Sequence, residues 1–391
     1  MRSIALVVLL IGGCSTARLA RQPAREAEPF QAGRDYFPAK TAIRYARQFR
    51  VSYHGHYKVV DFDPVVPTKE RLQYLLVQRG APVPRGYPDA QVVRVPLRRY
   101  VHLHSAYYGL IDRFGLLDGL AGINSINGVS VKSILVRHRD GLIKETGASN
   151  HSNIEIAIGL DPEAIFLFYS AFPESNIHPK FRELGIPAIQ LADQFEPTPL
   201  GRAEWMKFFA LFFNQEGEVS REFDAIAARY EALVRLAGSA SGRPRVMGGS
   251  PTADQWLLFG GSNFQAQLIR DAGAEYFWPG QDHQSLLYAN YETVFDRSNE
   301  TDRWLAASGM YYPSIGGLIA RDRRLAWFRP VAERRVYAFD RNADAQRRIP
   351  YANQSLDKPD LLLADTIKML HPELLPNHEF QFLRAVNEPN R

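Results

Sequence analysis

Two pairs of histidines have a spacing that a metal ion could use. One residue separates His54 from His56, and one residue separates His102 from His104. Residues two apart on a strand point to the same face, so either pair could offer two imidazole nitrogens to a transition metal. Gly55 favours a hairpin turn for the first pair. The second pair would need a third ligand, which the sequence does not place.

The motifs of hydrolases and nucleotide-dependent enzymes are absent from the sequence. Gly248-Gly249-Ser250-Pro251 is not a Gly-x-Ser-x-Gly elbow, because Thr252 stands two residues after the serine. There is no Walker loop and no His-Glu-x-x-His helix. We therefore expect a protein that is not an enzyme and has no resident cofactor.

The only cysteine, Cys14, ends a short apolar leader that begins with Met1-Arg2. This layout is typical of a secretion signal, and the apolar run is too short to span a membrane. Ile-Gly-Gly-Cys resembles the lipobox of bacterial lipoproteins, in which the cysteine is acylated and becomes the mature N-terminus. We predict lipidation at Cys14 and a lipid-anchored place in the cell envelope, on its periplasmic or extracellular face. The alternative is an ordinary signal peptide cut near Ala17 or Ala20.

Charge is spread along the chain. Lysine and arginine number 47 against 42 acidic residues, a formal net charge of +5. The densest basic groups, at 321–324 and 334–335, lie on no predicted basic helix and beside no zinc-finger spacing. We therefore expect no nucleic-acid partner.

Strand and helix patterns alternate in both halves of the chain, which indicates parallel sheets with helices on their faces. In the first half the predicted strands are 53–61, 72–78, 96–104, 164–169 and 188–191, and the predicted helices are 106–114 and 179–184. In the second half the predicted strands are 245–248 and 335–339, and the predicted helices are 263–272, 291–297 and 358–371.

Between the halves, residues 198–236 have the pattern of one long helix. Apolar side chains recur at three- and four-residue spacing, while charged residues such as Lys207, Glu216 and Arg221 populate the other face. At about 1.5 Å per residue a continuous helix here would span roughly 50 to 60 Å, enough to join two lobes. We interpret its aromatic stripe as core and its charged face as solvent-exposed.

Three stretches of the chain resemble a known family. They are PLGRAEWMKFFALFFN at 199–214, NIEIAIGLDPEAIFLFYSAFPESNIHPKF at 153–181 and KPDLLLADTIKMLHPELLPNHEF at 358–380. Weaker matches extend the resemblance across roughly 46–384. The sequence is similar to the substrate-binding lipoproteins of bacterial ABC importers for ferric siderophores, haem and cobalamin.

The resemblance implies an α/β fold of two lobes with mainly parallel sheets flanked by helices, joined by one long helix, with the ligand in a cleft between them. It also implies capture of an iron-siderophore, haem or cobalamin-like ligand and delivery to an ABC permease, so that iron or cobalt belongs to the cargo. The implied divisions are a signal peptide and lipobox at 1–14, a tether at 15–40, an N-terminal lobe at 41–197, a linking helix at 198–237, a C-terminal lobe at 238–345, and a loop with a C-terminal helix packing back at 346–391.

The register of the resemblance also implies functional residues. One acidic residue on each lobe would dock on permease arginines, and these positions correspond to Glu174 and Glu292. The positions that line the cleft in the family correspond to His104, Ser105, Tyr107, Phe168, Tyr169, Trp256, Asn263 and Arg321.

Ligand chemistry stays open at this stage. Aromatic side chains suit a flat corrin, porphyrin or catecholate, whereas arginines such as Arg321, Arg347 and Arg348 suit carboxylates. The loop at 341–358 is more basic than the family pattern, which favours an anionic ligand. Two further alternatives are a protein that binds a bare transition-metal ion through cleft histidines and a scaffold lipoprotein with a degenerate cleft.

Overall fold

A computed structural model describes residues 29–63, 71–147, 153–170, 177–252, 254–278, 286–306, 311 and 314–387. The first sheet has four strands in the order of the chain. These are β1 (Phe49–His54), β2 (Tyr57–Phe62), β3 (Leu72–Gln78) and β4 (Gln91–Val95). Gly55, with φ +65°, closes the antiparallel β1–β2 hairpin, which confirms the predicted turn between His54 and His56.

The predicted tether at 15–40 is too long at its C-terminal end. Phe37 is 3% exposed, its ring packs against Tyr53, and the Tyr36 N–H donates to the Gly55 carbonyl. Burial of this aromatic residue makes the segment from residue 29 onwards part of the first lobe. Residues 15–28 lie outside the described part of the chain.

The second sheet confirms the expected parallel arrangement. Its strands are β5 (Tyr100–His102), β6 (Leu120–Ile123), β7 (Lys144–Glu145), β8 (Ala164–Phe168) and β9 (Ala188–Leu191), with helices α1 (Tyr108–Arg113), α2 (Lys132–Arg139), α3 (Ile154–Gly159) and α4 (His178–Glu183) between them. The order is β7-β6-β5-β8-β9 and every pairing is parallel. The chain therefore reverses its winding between β5 and β8, and in open α/β sheets ligands bind beyond the carboxyl ends of the strands at such a point.

The prediction of one continuous helix over residues 198–236 is wrong. The segment forms two helices, α5 (Pro199–Ala210) and α6 (Glu216–Ala237), and Asn214 between them has φ +56°. Helix α6 turns back along α5, since the Lys207 ammonium lies 4.4 Å from the centre of the Phe223 ring. The longer helix, α6, spans only about 33 Å at 1.5 Å per residue.

A buried lysine explains the break. The Lys58 side chain is completely buried and donates to the Leu211 carbonyl, to Asn214 Oδ1 and to Glu216 Oε1. It therefore satisfies a carbonyl at the end of α5 and a carboxylate in the first turn of α6. Asparagine tolerates the left-handed conformation that the turn requires. Burial lowers the pKa of Lys58 to about 8, and Glu216 opposes that shift.

The second lobe is built on a mixed sheet. Its strands are β10 (Arg245–Pro251), β11 (Gln255–Phe259), β12 (Glu275–Tyr276), β13 (Leu286–Asn290), β14 (Arg303–Ala306), β15 (Val336–Ala338) and β16 (Arg384–Ala385). The pairings of β10 with β12 and β14, and of β14 with β15, are parallel. Strand β11 pairs antiparallel with β10 and with β13, and β16 pairs antiparallel with β15. The helices are α7 (Phe264–Asp271), α8 (Tyr291–Ser298), α9 (Ile315–Arg321), α10 (Arg329–Ala332), α11 (Pro350–Gln354) and α12 (Pro359–Leu370).

The C-terminal segment joins the lobes through α11 and the start of α12. A Cβ atom on Gly109 of α1 would lie 3.0 Å from the Asn353 carbonyl oxygen, so a larger residue would require α11 to shift by a few tenths of an ångström. Arg113 at the end of α1 forms ion pairs with Asp357 and with Glu222 of α6. Lobe, linker and C-terminal segment are thereby tied at one place. No helix in the described ranges is long and apolar enough to cross a membrane.

Candidate ligand site

His104 stands at the carboxyl end of β5, where the winding of the first-lobe sheet reverses. Its extended backbone (φ −118°, ψ 103°) leads into a 3-10 helix, Ser105–Tyr107. Its side chain is 13% exposed, and Nε2 lies 2.9 Å from Asp193 Oδ1. Because an ionised carboxylate only accepts hydrogen bonds, Nε2 carries a proton, and in the neutral form of the ring Nδ1 is the nitrogen that can accept a bond.

Asp193 holds this histidine from inside the lobe. It follows β9 on the 3-10 helix Asp193–Phe195 and is completely buried. Arg202 Nε of α5 lies 3.2 Å from Asp193 Oδ2, and the Tyr107 hydroxyl donates to Oδ1 at 3.4 Å. Burial acts to raise the pKa of Asp193, but the charge and the hydrogen bond of His104, together with the charge of Arg202, outweigh it and lower the pKa. The carboxylate therefore stays ionised and fixes the imidazole, as carboxylates behind ligand-binding histidines do.

Phe168 lies beside His104, and these two side chains form the His104 corner. It ends β8, the strand next to β5, and is 38% exposed, although the rest of that strand is buried. The His104 and Phe168 rings meet edge to face with centres 5.1 Å apart. An exposed phenyl ring and an oriented imidazole thus lie together at the sheet's switch point. Both were predicted as cleft residues, and the structure brings them together.

Asp193, Arg202 and Phe264 were missed by sequence reasoning. The Arg202 guanidinium carbon lies 4.7 Å from the centre of the Phe264 ring, so the charged cluster of the first lobe contacts the start of α7 in the second. The neighbouring Asn263, predicted as a ligand contact, is 3% exposed and caps α7 by accepting from the Gln265 N–H at 2.8 Å. Asn263 therefore shapes the second-lobe side of this contact through the backbone.

Three aromatic residues predicted to line the cleft belong to the core instead. Tyr107, Tyr169 and Trp256 are all completely buried. Tyr169 follows Phe168, so it points to the opposite side of the strand, where it packs on Phe62. The Trp256 Nε1–H donates to the Gly248 carbonyl and its ring lies within a second-lobe aromatic cluster.

Ser105, the next predicted ligand residue, is half-buried. Its carbonyl lies 3.4 Å from Asn353 Nδ2 of α11, and therefore contributes to the contact between the lobes.

His102 does not act with His104 as a metal pair. It is buried, its ring is stacked on Phe166, and its Nδ1 accepts from the His104 backbone N–H at 3.3 Å. Burial, with the nearby charge of His104, holds the pKa of His102 well below its usual range, so the ring is neutral. Within the described ranges, no three or more His, Cys, Asp or Glu residues are grouped so that they could hold a metal ion.

Arg321 lines a cavity of about 500 Å³ in the second lobe. Pro251 and Thr252, at the carboxyl end of β10, line the same cavity together with Arg323 and Arg324. Asp322 accepts from Arg324 Nε at 3.0 Å and from its Nη2 at 2.8 Å, so one arginine is held and Arg321 remains exposed. This edge of the second lobe is therefore basic.

Of the residues predicted to dock on the permease or to carry the lipid, the structure describes one. Glu292 is exposed in the first turn of α8, where Asn290 caps the helix. Glu174 and Cys14 lie outside the described residues. Permease docking and lipidation stay predictions.

Comparisons with known proteins agree with this architecture. No family model matches the chain. The lipoprotein MJ0878 of Methanocaldococcus jannaschii is 25% identical over 334 residues, which cover 81% of this chain and 77% of that protein. The chain is also similar to the molybdate periplasmic binding protein MolA of an ABC transporter of Haemophilus influenzae (TM-score 0.57, 16% identity, 74% of this chain and 90% of MolA).

A further similar structure is the periplasmic catecholate-siderophore binding protein VctP of Vibrio cholerae, with a TM-score of 0.54 and 13% identity over 75% of this chain and 95% of VctP. These structures share the two lobes of α/β sheets that the sequence predicted. The described chain therefore has the two-lobed fold of the substrate-binding proteins of ABC importers for siderophores and metals.

Proposed function

We propose that this protein is a lipid-anchored substrate-binding protein that captures a metal chelate and delivers it to an ABC permease, without catalysing a reaction. The cargo is a ferric siderophore, haem or a cobalamin-like corrinoid. The observation that carries the proposal is the corner formed by His104 and Phe168 at the switch point of the first-lobe sheet.

The chemistry of the corner suits such a cargo. The exposed ring of Phe168 can stack on the flat part of an aromatic chelate. The neutral form of His104, held through Nε2, presents Nδ1 to a metal or to a hydrogen-bond donor. The similarity to a catecholate-siderophore binding protein supports an aromatic chelate, and the similarity to a molybdate-binding protein makes an oxyanion the contrasting cargo to test.

Binding would proceed with little movement of the lobes. Helices α5 and α6 pack against each other, and α11 approaches α1 closely at Gly109. The ion pairs of Arg113 join the first lobe to α6 and to Asp357. Solution scattering with and without cargo should show nearly the same radius of gyration. A closure of tens of degrees would contradict this part of the proposal.

The binding test uses the full chain, purified in detergent and titrated with a ferric catecholate, haem, cobalamin, molybdate and Ni²⁺. We expect one of the three chelates to bind. Phe168→Ala and His104→Ala should each weaken that binding by about ten-fold or more, because each removes a direct contact. Trp327→Ala, which truncates another exposed aromatic residue, is the matched control and should bind like the wild type. Binding that is unaffected at the corner would refute the site.

Delivery is tested separately in cells. The double charge reversal Glu174→Lys and Glu292→Lys should abolish uptake of the cargo while its affinity stays unchanged, because opposite charges orient docking. Cys14→Ser should release the protein from the membrane fraction. Uptake that survives the double reversal would show that other residues dock on the permease.

A further inference from the structure

A second cavity, of about 510 Å³, lies between the lobes. Neither His104 nor Phe168 lines it. Ser130, Lys132 and Leu135 line it from the first lobe, at and just before α2. The other wall comes from the segment that follows β15, including α11 and the start of α12. Its size is typical of a site for a small molecule.

The charges in this cavity are mostly positive. Lys132, Arg348 and Lys358 line it, against the single carboxylate of Asp344. That carboxylate is already used, since Asp344 Oδ2 lies 2.5 Å from Arg348 Nε and holds the guanidinium in place. The Lys358 ammonium lies 5.8 Å from the centre of the Phe382 ring, which also lines the cavity. Within the described ranges, then, two lysines from opposite lobes have no carboxylate lining the cavity to balance them.

The positions of the two lysines increase this positive potential. Lys132 begins α2 and Lys358 directly precedes α12, where the helix dipole disfavours a cation. Neither helix start has a side-chain cap. An anion between the lysines would neutralise both side chains and would also face the positive ends of the two helices.

Helix α11 separates the cavity from the candidate cargo site. Asn353 reaches Ser105, next to His104, and its Oδ1 accepts from the Ser130 N–H at 2.7 Å. Gln354, on the same helix, lines the cavity and donates to Ser130 Oγ at 3.1 Å. A ligand in the cavity would therefore touch the residues that join the lobes, one helix away from His104.

We propose that this cavity binds a small anion with carboxylate or phosphate oxygens, and that Lys132 from the first lobe and Lys358 from the C-terminal segment grip it together. Arg348, fixed by Asp344, and the amide of Gln354 supply further donors. Because its ligands come from both lobes, the bound anion stabilises their relative orientation. The inference concerns this chain alone and stands whether or not the protein serves a permease.

The test measures anion binding by the full chain in detergent, without metal chelate. Citrate and inorganic phosphate are titrated at constant ionic strength, with chloride as the baseline, by calorimetry and by thermal unfolding. Citrate or phosphate should bind and raise the melting temperature above that in chloride, and the comparison between them identifies which oxygen chemistry fits. Lys132→Gln and Lys358→Gln should each weaken binding by about ten-fold, as expected for loss of a charged hydrogen bond.

Control variants locate the site. Lys40→Gln, which removes an exposed lysine paired with Asp35, should bind like the wild type. Lys132→Arg with Lys358→Arg should retain binding and shows that the positions tolerate change. If citrate and phosphate bind no better than chloride, or if binding survives the double glutamine variant, the inference is wrong.

Discussion

An aspartate in each lobe holds a basic side chain, but the two are built differently. Asp193 of the first lobe is completely buried and lies between His104 Nε2 at 2.9 Å and Arg202 Nε at 3.2 Å. Asp322 of the second lobe has a side chain that is 17% exposed and accepts hydrogen bonds from Nε and Nη2 of Arg324, whose side chain is 46% exposed. One group is enclosed by packed protein, and the other faces water.

The two carboxyl groups reach a lowered pKa by different routes. For Asp193, burial is the largest influence and acts to raise the pKa, and the charges of His104 and Arg202 overcome it. For Asp322, the hydrogen bond from Arg324 is the largest influence and lowers the pKa directly. The first-lobe group therefore depends on every partner being present, whereas the second-lobe group can exchange a partner for water. The His104 side chain of the first lobe is thus held in one position, whereas the Arg324 side chain of the second lobe can change its partners.

The largest effect should follow from neutralising the buried aspartate. Asp193→Asn leaves Arg202 without its countercharge in a buried place, and we expect the free energy of unfolding to fall by about 3–5 kcal/mol. Asp322→Asn removes the corresponding charge at the exposed pair and should cost at most about 1 kcal/mol. Urea unfolding of both variants measures the difference.

The two variants also serve as each other's control, because both make the same chemical change beside an arginine. Equal losses of stability would show that burial does not distinguish the two lobes in this way. A loss confined to Asp193→Asn, accompanied by weaker cargo binding, would establish that the buried carboxylate positions His104.

The sequence could predict those residues of the candidate site that stand at the ends of strands. His104 and Phe168 each follow an apolar run, and the carboxyl ends of neighbouring parallel strands meet at one edge of a sheet. The alternation of a strand could also have separated Phe168 from Tyr169, because adjacent residues point to opposite faces.

Other features depend on contacts between distant parts of the chain. Lys207 and Glu216 fit the charged face of one amphipathic helix, yet both are buried, Lys207 against Glu204 and Glu216 against Lys58. Lys58 lies on β2, and helical periodicity cannot reveal a partner that a sheet contributes. Glu204 lies three residues before Lys207 on α5, but it also accepts from the backbone N–H groups of residues 44–46, which the periodicity of the helix does not show. Asp193 was missed for the same reason, since a loop aspartate usually faces solvent.

A second buried carboxyl group in the first lobe should contribute a loss of stability as the pH rises. Glu196 accepts from the Trp205 Nε1–H and the Arg47 N–H, both at 3.0 Å, but burial raises its pKa from 4.5 to about 7. The folded state then binds more protons than the unfolded state between these values. The contribution of Glu196 is fully present below pH 4.5 and is lost as the pH rises through 7, by about 3 kcal/mol.

Glu196→Gln tests this directly, because the amide can still accept the N–H bonds but does not titrate. Relative to the variant, the wild type should lose about 3 kcal/mol of unfolding free energy between pH 4.5 and pH 7.5. A difference that stays constant across this range would mean that the group is already ionised at low pH. The variant Asp322→Asn should show no such change in this pH window.

The smallest effect on stability is expected at the exposed arginines of the second lobe. Arg321→Gln should leave the free energy of unfolding unchanged within error, because the side chain is exposed. The same variant should weaken binding of an anionic cargo by about two- to five-fold, as expected for a water-screened charge, and should leave binding of a neutral cargo unchanged. Calorimetric titration with a charged and a neutral chelate separates the two cases. A loss of stability in Arg321→Gln as large as that in Asp193→Asn would show that the second lobe, too, depends on fixed charge.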